Sequence, residues 1–336
     1  MKKKYLLGLF FFVFALGAVI HYRTPFFQQE GGGWSIGYGQ SVGYPAKIAV
    51  DKNSIYSIEK LKAENDSTVF LADPFFVNEK DTFYLFFEHK KNKSNADIGL
   101  LTSVDGKKYT YRGTVLTQKF HLSYPQVFKY KKDFYMIPET KQAKAVLLYK
   151  AYRFPFDWRI CDTLIANVAL VDPSIYLSDS LNILVATDYE KNMYLYQADS
   201  LFGKWKLHKK PIALIGTEAR AGGRFFADKK GLILPVQNCA KGYGYGVSLF
   251  RFSFHDGSYS AERETPFYLM ANENIAAFNA GMHHLDMQLL DATHYYYVYD
   301  GNQLASNSRK LNIRGPLKWS YLDLKNWMVK KWEYFN

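Results

Sequence analysis

Four segments of this 336-residue chain open the same pattern about fifty residues apart. Leu71-Ala72-Asp73-Pro74-Phe75-Phe76, Leu122-Ser123-Tyr124-Pro125-Gln126-Val127-Phe128, Leu170-Val171-Asp172-Pro173-Ser174-Ile175-Tyr176 and Arg220-Ala221-Gly222-Gly223-Arg224-Phe225-Phe226 each start a run of turn, apolar strand, polar turn and aromatic strand. Pro74 and Pro125 lie 51 residues apart, Pro125 and Pro173 48, and Pro173 and Gly223 50. A second register agrees with the first. Leu148-Tyr149-Lys150-Ala151 stands ten residues before Trp158, Leu195-Tyr196-Gln197-Ala198 ten before Trp205, and Gly99-Leu100-Leu101-Thr102 ten before Tyr109. A unit of this length made of several short strands cannot bury its own faces, and a ring of such units is a β-propeller. The start of every blade then meets a common channel, so the polar residues placed there converge on one site.

The rest of the sequence fits an all-β, five-bladed propeller over residues 34–336. The 27 Tyr and 26 Phe suit strands packed on both faces, and long amphipathic helical patterns are hard to find. Met282-His283-His284-Leu285-Asp286 reads as the start of a fifth blade, with a loop around Asn272 to Ala280 absorbing the longer spacing of 60 between Gly223 and His283. Trp34-Ser35-Ile36-Gly37-Tyr38 precedes the first full repeat and is expected to complete the last blade, closing the ring. Asp157-Trp158, Gly203-Lys204-Trp205 and Leu317-Lys318-Trp319 read as blade-end strands starting after tight turns. The competing architecture is a two-sheet sandwich with coincidental spacing.

Residues 1–22 have the layout of a signal anchor or signal peptide, and 23–33, with its Gly31-Gly32-Gly33, that of a linker. Lys2-Lys3-Lys4 precede an apolar run from Tyr5 to Ile20, 16 residues and so slightly short for a span. Ala15-Leu16-Gly17 offers a small-residue cleavage site, whereas the bulky Phe10-Phe11-Phe12-Val13-Phe14 and the missing polar flank favour an uncleaved membrane anchor. Three lysines ahead of the run would hold the N-terminus inside and put the propeller on the extracytoplasmic side. Cleavage would instead leave it secreted or periplasmic. The net charge of +12 is scattered through turns, which argues against a nucleic-acid partner and suits anionic lipid or an acidic glycan. Two cysteines, Cys161 and Cys239, are too few for a disulfide framework and read as buried or semi-buried thiols.

The candidate chemistry lies at blade starts and strand ends. Asp73 and Asp172 each precede proline, which is expected to hold them extended at a strand entrance. Glu88, Glu139 and Asp188 each end an apolar strand, where a buried carboxylate needs a partner. Arg220 and Arg224, around Gly222-Gly223, are the cations best placed to supply one, either as an ion-pair belt between blades or with one fork free for an anionic ligand; Arg220 is the one expected to meet the ligand. His121, His283 and His284 also fall at blade starts. Tyr243, in Gly242-Tyr243-Gly244-Tyr245-Gly246, suits an aromatic rim that stacks on sugar faces, and Tyr124, Gln237 and Asp286 complete the expected lining. His283-His284-Leu285-Asp286 invites a metal reading, yet no second ligand pair accompanies it and there is no His-Glu-x-x-His, so no metal and no cofactor is expected.

Asp73-Pro74-Phe75 with Tyr84-Leu85-Phe86-Phe87-Glu88, Asp97-Ile98-Gly99, His121-Leu122-Ser123-Tyr124-Pro125 with Tyr135-Met136-Ile137-Pro138-Glu139, Val171-Asp172, Arg220-Ala221-Gly222-Gly223-Arg224 and His283-His284-Leu285-Asp286 together resemble the N-terminal domain of the plant glucosamine inositolphosphorylceramide transferases. The resemblance runs from about Trp34 to the C-terminus. More distantly, the pattern is similar to five-bladed propeller glycosidases acting on arabinans, xylans and fructans. This resemblance implies a glycan or glycolipid as partner, Asp73 as base or nucleophile, Asp172 as the acid that tunes a proton donor, and Glu139, or less readily Glu218, as that donor. The plant enzymes carry a further C-terminal glycosyltransferase domain for which this chain shows no counterpart. The alternative implied is therefore a non-catalytic module recognising a glycan or lipid headgroup beside a separate glycosyltransferase.

Overall fold

The computed structural model describes residues 2–335 apart from 65–66, 93, 209–211, 213–215 and 256. Five four-stranded antiparallel sheets form the blades. The first uses Thr68–Glu79, Thr82–Lys91, Ala96–Ser103 and Thr110–Leu116; the second Ser123–Tyr130, Asp133–Glu139, Ala145–Arg153 and Phe156–Ala166. Blade three runs through Val171–Leu177, Asn182–Thr187, Met193–Gln197 and Lys206–Leu207, and blade four through Phe226–Asp228, Gly231–Asn238, Gly246–His255 and Ser258–Met270. The fifth has two strands from the C-terminal side, Leu285–Leu289 and His294–Leu311, and two from the N-terminal side, Phe27–Val42 and Ile55–Tyr56. Both ends of the propeller are thus locked into one sheet, and the ring is closed by the segment containing Trp34.

Strand alternation explains why the second strands are so aromatic. In Leu85-Phe86-Phe87, Phe86 packs towards blade two, with the Trp158 ring at 5.6 Å, while Leu85 and Phe87 pack towards blade five with Ile36, Tyr38 and Val298. Each strand faces a neighbouring blade on both sides, so neither face can be polar. The first strands of blades five, one, two and three contact one another in turn.

The proline-bearing blade starts are bulged, and here the backbone departs from the sequence expectation. Asp73, Tyr124 and Asp172 are not extended but left-handed, with φ of 51°, 50° and 50°. Pairing with the second strand slips there, between Ala72 and Phe75, Ser123 and Gln126, and Val171 and Ser174. A bulge re-aims the side chain it carries, and three blades use the same one. In blade four Gly223 takes the place of the prolines with φ 150°, and a Cβ there would sit 1.8 Å from the Leu285 carbonyl oxygen, so only glycine fits.

Three helices accompany the sheets: α1 (Lys2–Arg23), α2 (Ile58–Glu64) and α3 (Arg314–Phe335). The apolar run of α1 is part of a longer helix, and its 20-residue stretch from Lys4 to Arg23 contains an 18-residue window of mean hydropathy 2.0, long and apolar enough to cross a membrane. Most of the expected linker is strand, since Phe27 onwards pairs with Leu311. Leu317-Lys318-Trp319, expected to start a blade-end strand, lies in α3, whose first turn is capped by Asn312 Oδ1 accepting from the Gly315 N–H at 2.9 Å. Both cysteines are free, with Cys239 buried and Cys161 exposed rather than semi-buried.

Candidate active site

Asp73, on the first strand of blade one, anchors the site. Its backbone N–H donates to Asp300 Oδ2 at 2.9 Å, and its Oδ2 accepts from the Tyr124 N–H at 3.3 Å. Its Oδ1 is buried with no hydrogen-bond partner, and lies 3.8 Å from His283 Nε2. Asp300 organises the other side of that histidine: it accepts from the His283 and His284 backbone N–H groups at 3.1 and 3.0 Å and from His283 Nδ1 at 2.9 Å. Burial alone would lower the His283 pKa, yet the Asp300 and Asp73 carboxylates carry it up to about 9, so the ring is protonated at neutrality. Burial pushes Asp73 well above the usual carboxylate range, and Glu88, Asp300 and Asp172 add to the push while protonated His283 opposes it.

The pocket in front of Asp73 has a volume of about 490 Å³. Glu88, His121, Glu139, Asp188, Arg220, Tyr243 and His283 line it together with Asp73. Trp34, Lys141, Tyr189, Lys191 and Lys318 line it too and were not expected. Two of its acids stand against a basic side chain, Glu88 with His121 Nε2 and Glu139 with Lys141 Nζ at 3.2 Å each, and Asp172, which is not itself in the lining, pairs with Arg220 at 2.6 Å. Glu139 is almost wholly buried, and that burial, followed by the charge of Asp172, lifts its pKa from an ordinary 4.5 to about 7 in spite of Arg220 and Lys141. The Glu88 hydrogen bond raises the His121 pKa. Lys191 is brought down to about 8 by burial and then by Arg220, and its ammonium lies over the Trp319 ring at 5.3 Å.

Other expected residues take supporting places. Tyr124 occupies the position of the two aspartates, but its hydroxyl is tied to Ser174 Oγ at 2.7 Å and the Gly223 carbonyl at 2.8 Å. His284 is fully buried edge-on to Phe75 and Tyr124, and burial lowers it to about 3, so it is a neutral core ring. Gln237 donates to Asp172 at 3.2 Å. Asp188 is not the strand-end counterpart of Glu88 and Glu139: those residues face Ala72 and Ser123, whereas Val171 faces Thr187. Asp188 sits one residue on, where its oxygens accept from Glu190 N, Asn192 and the Tyr194 hydroxyl. Glu218 is buried and held by Arg263, Asn238 and Ser248, which fixes it as a structural acid.

The two arginines are held differently. Arg224 holds Asp286 through two bonds of 2.8 and 3.1 Å and reaches the carbonyls of Phe76 and Val127 at 3.1 and 2.9 Å, joining blades five, one and two to blade four. Arg220 grips Asp172 yet keeps a fifth of its side chain exposed in the pocket. Arg224→Lys, which cannot reproduce the fork, is expected to lower stability by about 2–3 kcal/mol in denaturant unfolding and leave ligand affinity unchanged. Arg220→Ala is expected to weaken binding of an anionic glycan about tenfold or more. A large fall in melting temperature with unaltered affinity for that variant would confine Arg220 to the scaffold.

Asp73, His283 and Asp300 also bring three donor atoms within 4.8 Å of one another, the single such cluster among the described residues.

A second, larger cavity of about 870 Å³ adjoins the pocket and shares Trp34 and Tyr243 with it. Its lining is rich in amides, among them Gln28, Gln29, Asn272, Asn279 and Asn302, and Glu273 is its one acid. Asn302 is 7% exposed and its Oδ1 has no partner. The smaller cavity therefore holds the acid–base groups, and the larger offers amides and aromatic faces beside Lys47 and Lys241.

Fold and site define a five-bladed propeller with a buried acid-lined pocket. Residues 29–302 match the family described as glucosamine inositolphosphorylceramide transferase 1, N-terminal, and the chain belongs to that family. It is 36% identical over 253 residues to glucosamine inositolphosphorylceramide transferase 1 of Oryza sativa subsp. japonica, covering 70% of this chain and 34% of the relative. With the protein of the same name from Arabidopsis thaliana it is 32% identical over 251 residues, covering 70% and 33%. The chain thus matches about a third of the length of these relatives. Among solved structures, an exo-β-1,3-galactanase from Clostridium thermocellum superposes with a TM-score of 0.51 at 11% identity, over 76% of this chain and 57% of that one, a likeness of fold.

Proposed function

We propose that the axial pocket takes a sugar of a glycan or glycolipid and that Asp73 and Glu139 cleave or transfer its glycosidic bond. The observation that carries this reading is the pairing, in one pocket, of a buried carboxylate whose Oδ1 has no protein partner with a second acid whose pKa lies near 7. Glycoside chemistry needs one carboxyl group to give a proton to the leaving oxygen and another to act as base or nucleophile. Glu139, half protonated near neutrality, suits the first role, with Asp172 keeping its pKa high. Asp73 suits the second in its ionised form, which protonated His283 favours against the burial that raises its pKa. Arg220 and Lys191 crowd two cations together and favour an anionic group on the ligand, and the amide-lined cavity beyond Trp34 and Tyr243 suits further sugar units. With α1 as an uncleaved anchor and Lys2–Lys4 held inside, the propeller works on the extracytoplasmic face of a membrane.

The second reading, a recognition module serving a separate glycosyltransferase, is favoured by one fact: the matched region corresponds to about a third of relatives named as transferases. Incubating the chain with a panel of glycans and glycolipids separates the two. The enzyme reading expects product from the wild type and none from Asp73→Asn. Binding without turnover that survives Asp73→Asn would leave the module alone.

A further inference from the structure

The C-terminal helix α3 has two apolar faces and only one of them meets the propeller. Pro316 and Leu322 turn inwards, where Leu322 packs close to Gly216 and the neighbouring Asp323 accepts from the Gly216 N–H at 2.7 Å. Leu317, Tyr321, Leu324 and Met328 follow at intervals of four, three and four and so share one stripe. They are 48, 64, 53 and 49% exposed, and they lie on the side of the helix opposite Leu322. A stripe of this kind facing water is costly unless something covers it.

The position of α1 indicates what covers it. Arg23, at the end of the apolar helix, pairs with Asp323 in the middle of α3 at 2.7 Å. If α1 spans a bilayer, Arg23 marks where the span meets water, so the ion pair sets α3 at interfacial depth. Basic residues flank the stripe, with Arg314 and Lys318 exposed and Lys325 half-buried, an arrangement that suits a helix lying in the headgroup plane over anionic lipid. Tyr321 provides an aromatic of the kind enriched at that depth.

We infer that α3 is a second membrane contact, lying along the bilayer surface with the Leu317–Met328 stripe in lipid. The inference rests on reading α1 as an anchor. It fixes the orientation of the propeller as well as its tethering: Lys318 of α3 lines the axial pocket and Trp319 carries Lys191 of its wall, so the rim of the pocket stands at the membrane surface, within reach of a headgroup.

The test uses the full chain with Cys161→Ser, in nanodiscs of phosphatidylcholine and phosphatidylglycerol, bearing an environment-sensitive fluorophore at Leu324→Cys. Lipid burial predicts blue-shifted emission, strong quenching by spin-labelled lipid and weak quenching by aqueous iodide. A chain that enters nanodiscs but whose label is quenched by iodide alone overturns the α3 contact and leaves the anchor standing. A chain that does not enter nanodiscs overturns both. Disulfide dimers formed through unlabelled Leu324→Cys would show a second copy on the stripe and overturn lipid as its cover. Leu317→Ser combined with Met328→Ser, on the same labelled background, is expected to shift quenching from lipid to iodide without loss of incorporation.

Discussion

Replacing Asp300 by alanine is expected to lower stability by roughly 4–5 kcal/mol, about 10 °C in melting temperature. Asp300 is fully buried and accepts from the backbone N–H groups of Asp73, His283 and His284 as well as from the His283 ring. Alanine leaves those donors without acceptors in a dry interior and strands a protonated histidine beside Asp73. The same side chain joins the first blade to the last, so its loss loosens the ring closure. Asp300→Asn separates the two contributions. It keeps an acceptor for part of the network and removes the negative charge, so the melting temperature should fall less while the His283 pKa, measured by NMR, drops from about 9. An unchanged His283 pKa in Asp300→Asn would contradict this assignment of the charge.

Glu139→Gln is expected to cut turnover about 10²–10⁴-fold and, above pH 7, to raise the melting temperature. The direction follows from linkage. The folded chain holds the Glu139 proton up to about pH 7, whereas the unfolded chain releases it near 4.5, so between those values the native state binds more protons and stability falls as pH rises. Glutamine is uncharged throughout and removes that loss. The melting-temperature difference between variant and wild type should therefore be small at pH 4 and grow in favour of the variant through pH 7. A site built for chemistry carries a cost of this kind. A variant less stable than wild type at pH 8 would show that the Glu139–Lys141 pair is structural and the acid role unfounded.

Much of this arrangement is legible in the sequence because a propeller writes its geometry as spacing. The prolines mark one bulge three times, and Asp73, Glu88, His121, Glu139, Arg220, Tyr243 and His283 share one pocket. Asp300 was missed although its signal is present: Tyr296-Tyr297-Val298-Tyr299-Asp300 is an aromatic strand ended by an acid, as in Tyr84 to Glu88. The left-handed backbone at Asp73 and Asp172 was hidden because proline disfavours other conformations of its predecessor only on average, and a bulge shared with the partner strand overrides it. Lys141 is set beside Glu139 by a tight turn, and Lys191 and Lys318 are brought in by chain folding over the rim, which no local pattern records. Helix α3 was legible from the Asn312 cap and the stripe of Leu317, Tyr321, Leu324 and Met328, but Leu317-Lys318-Trp319 also matches the aromatic strand starts of the repeat.

The central claim, that blade starts distant in sequence meet in one sugar-binding pocket, is tested most directly by hydrogen–deuterium exchange with the tightest-binding oligosaccharide of the glycan panel. Binding in the pocket predicts simultaneous slowing of exchange in peptides covering residues 70–75, 121–126, 139–141, 188–191 and 241–246, all lost in Asp73→Asn combined with Arg220→Ala. Protection confined to a single blade, or to surfaces away from these segments, would contradict it.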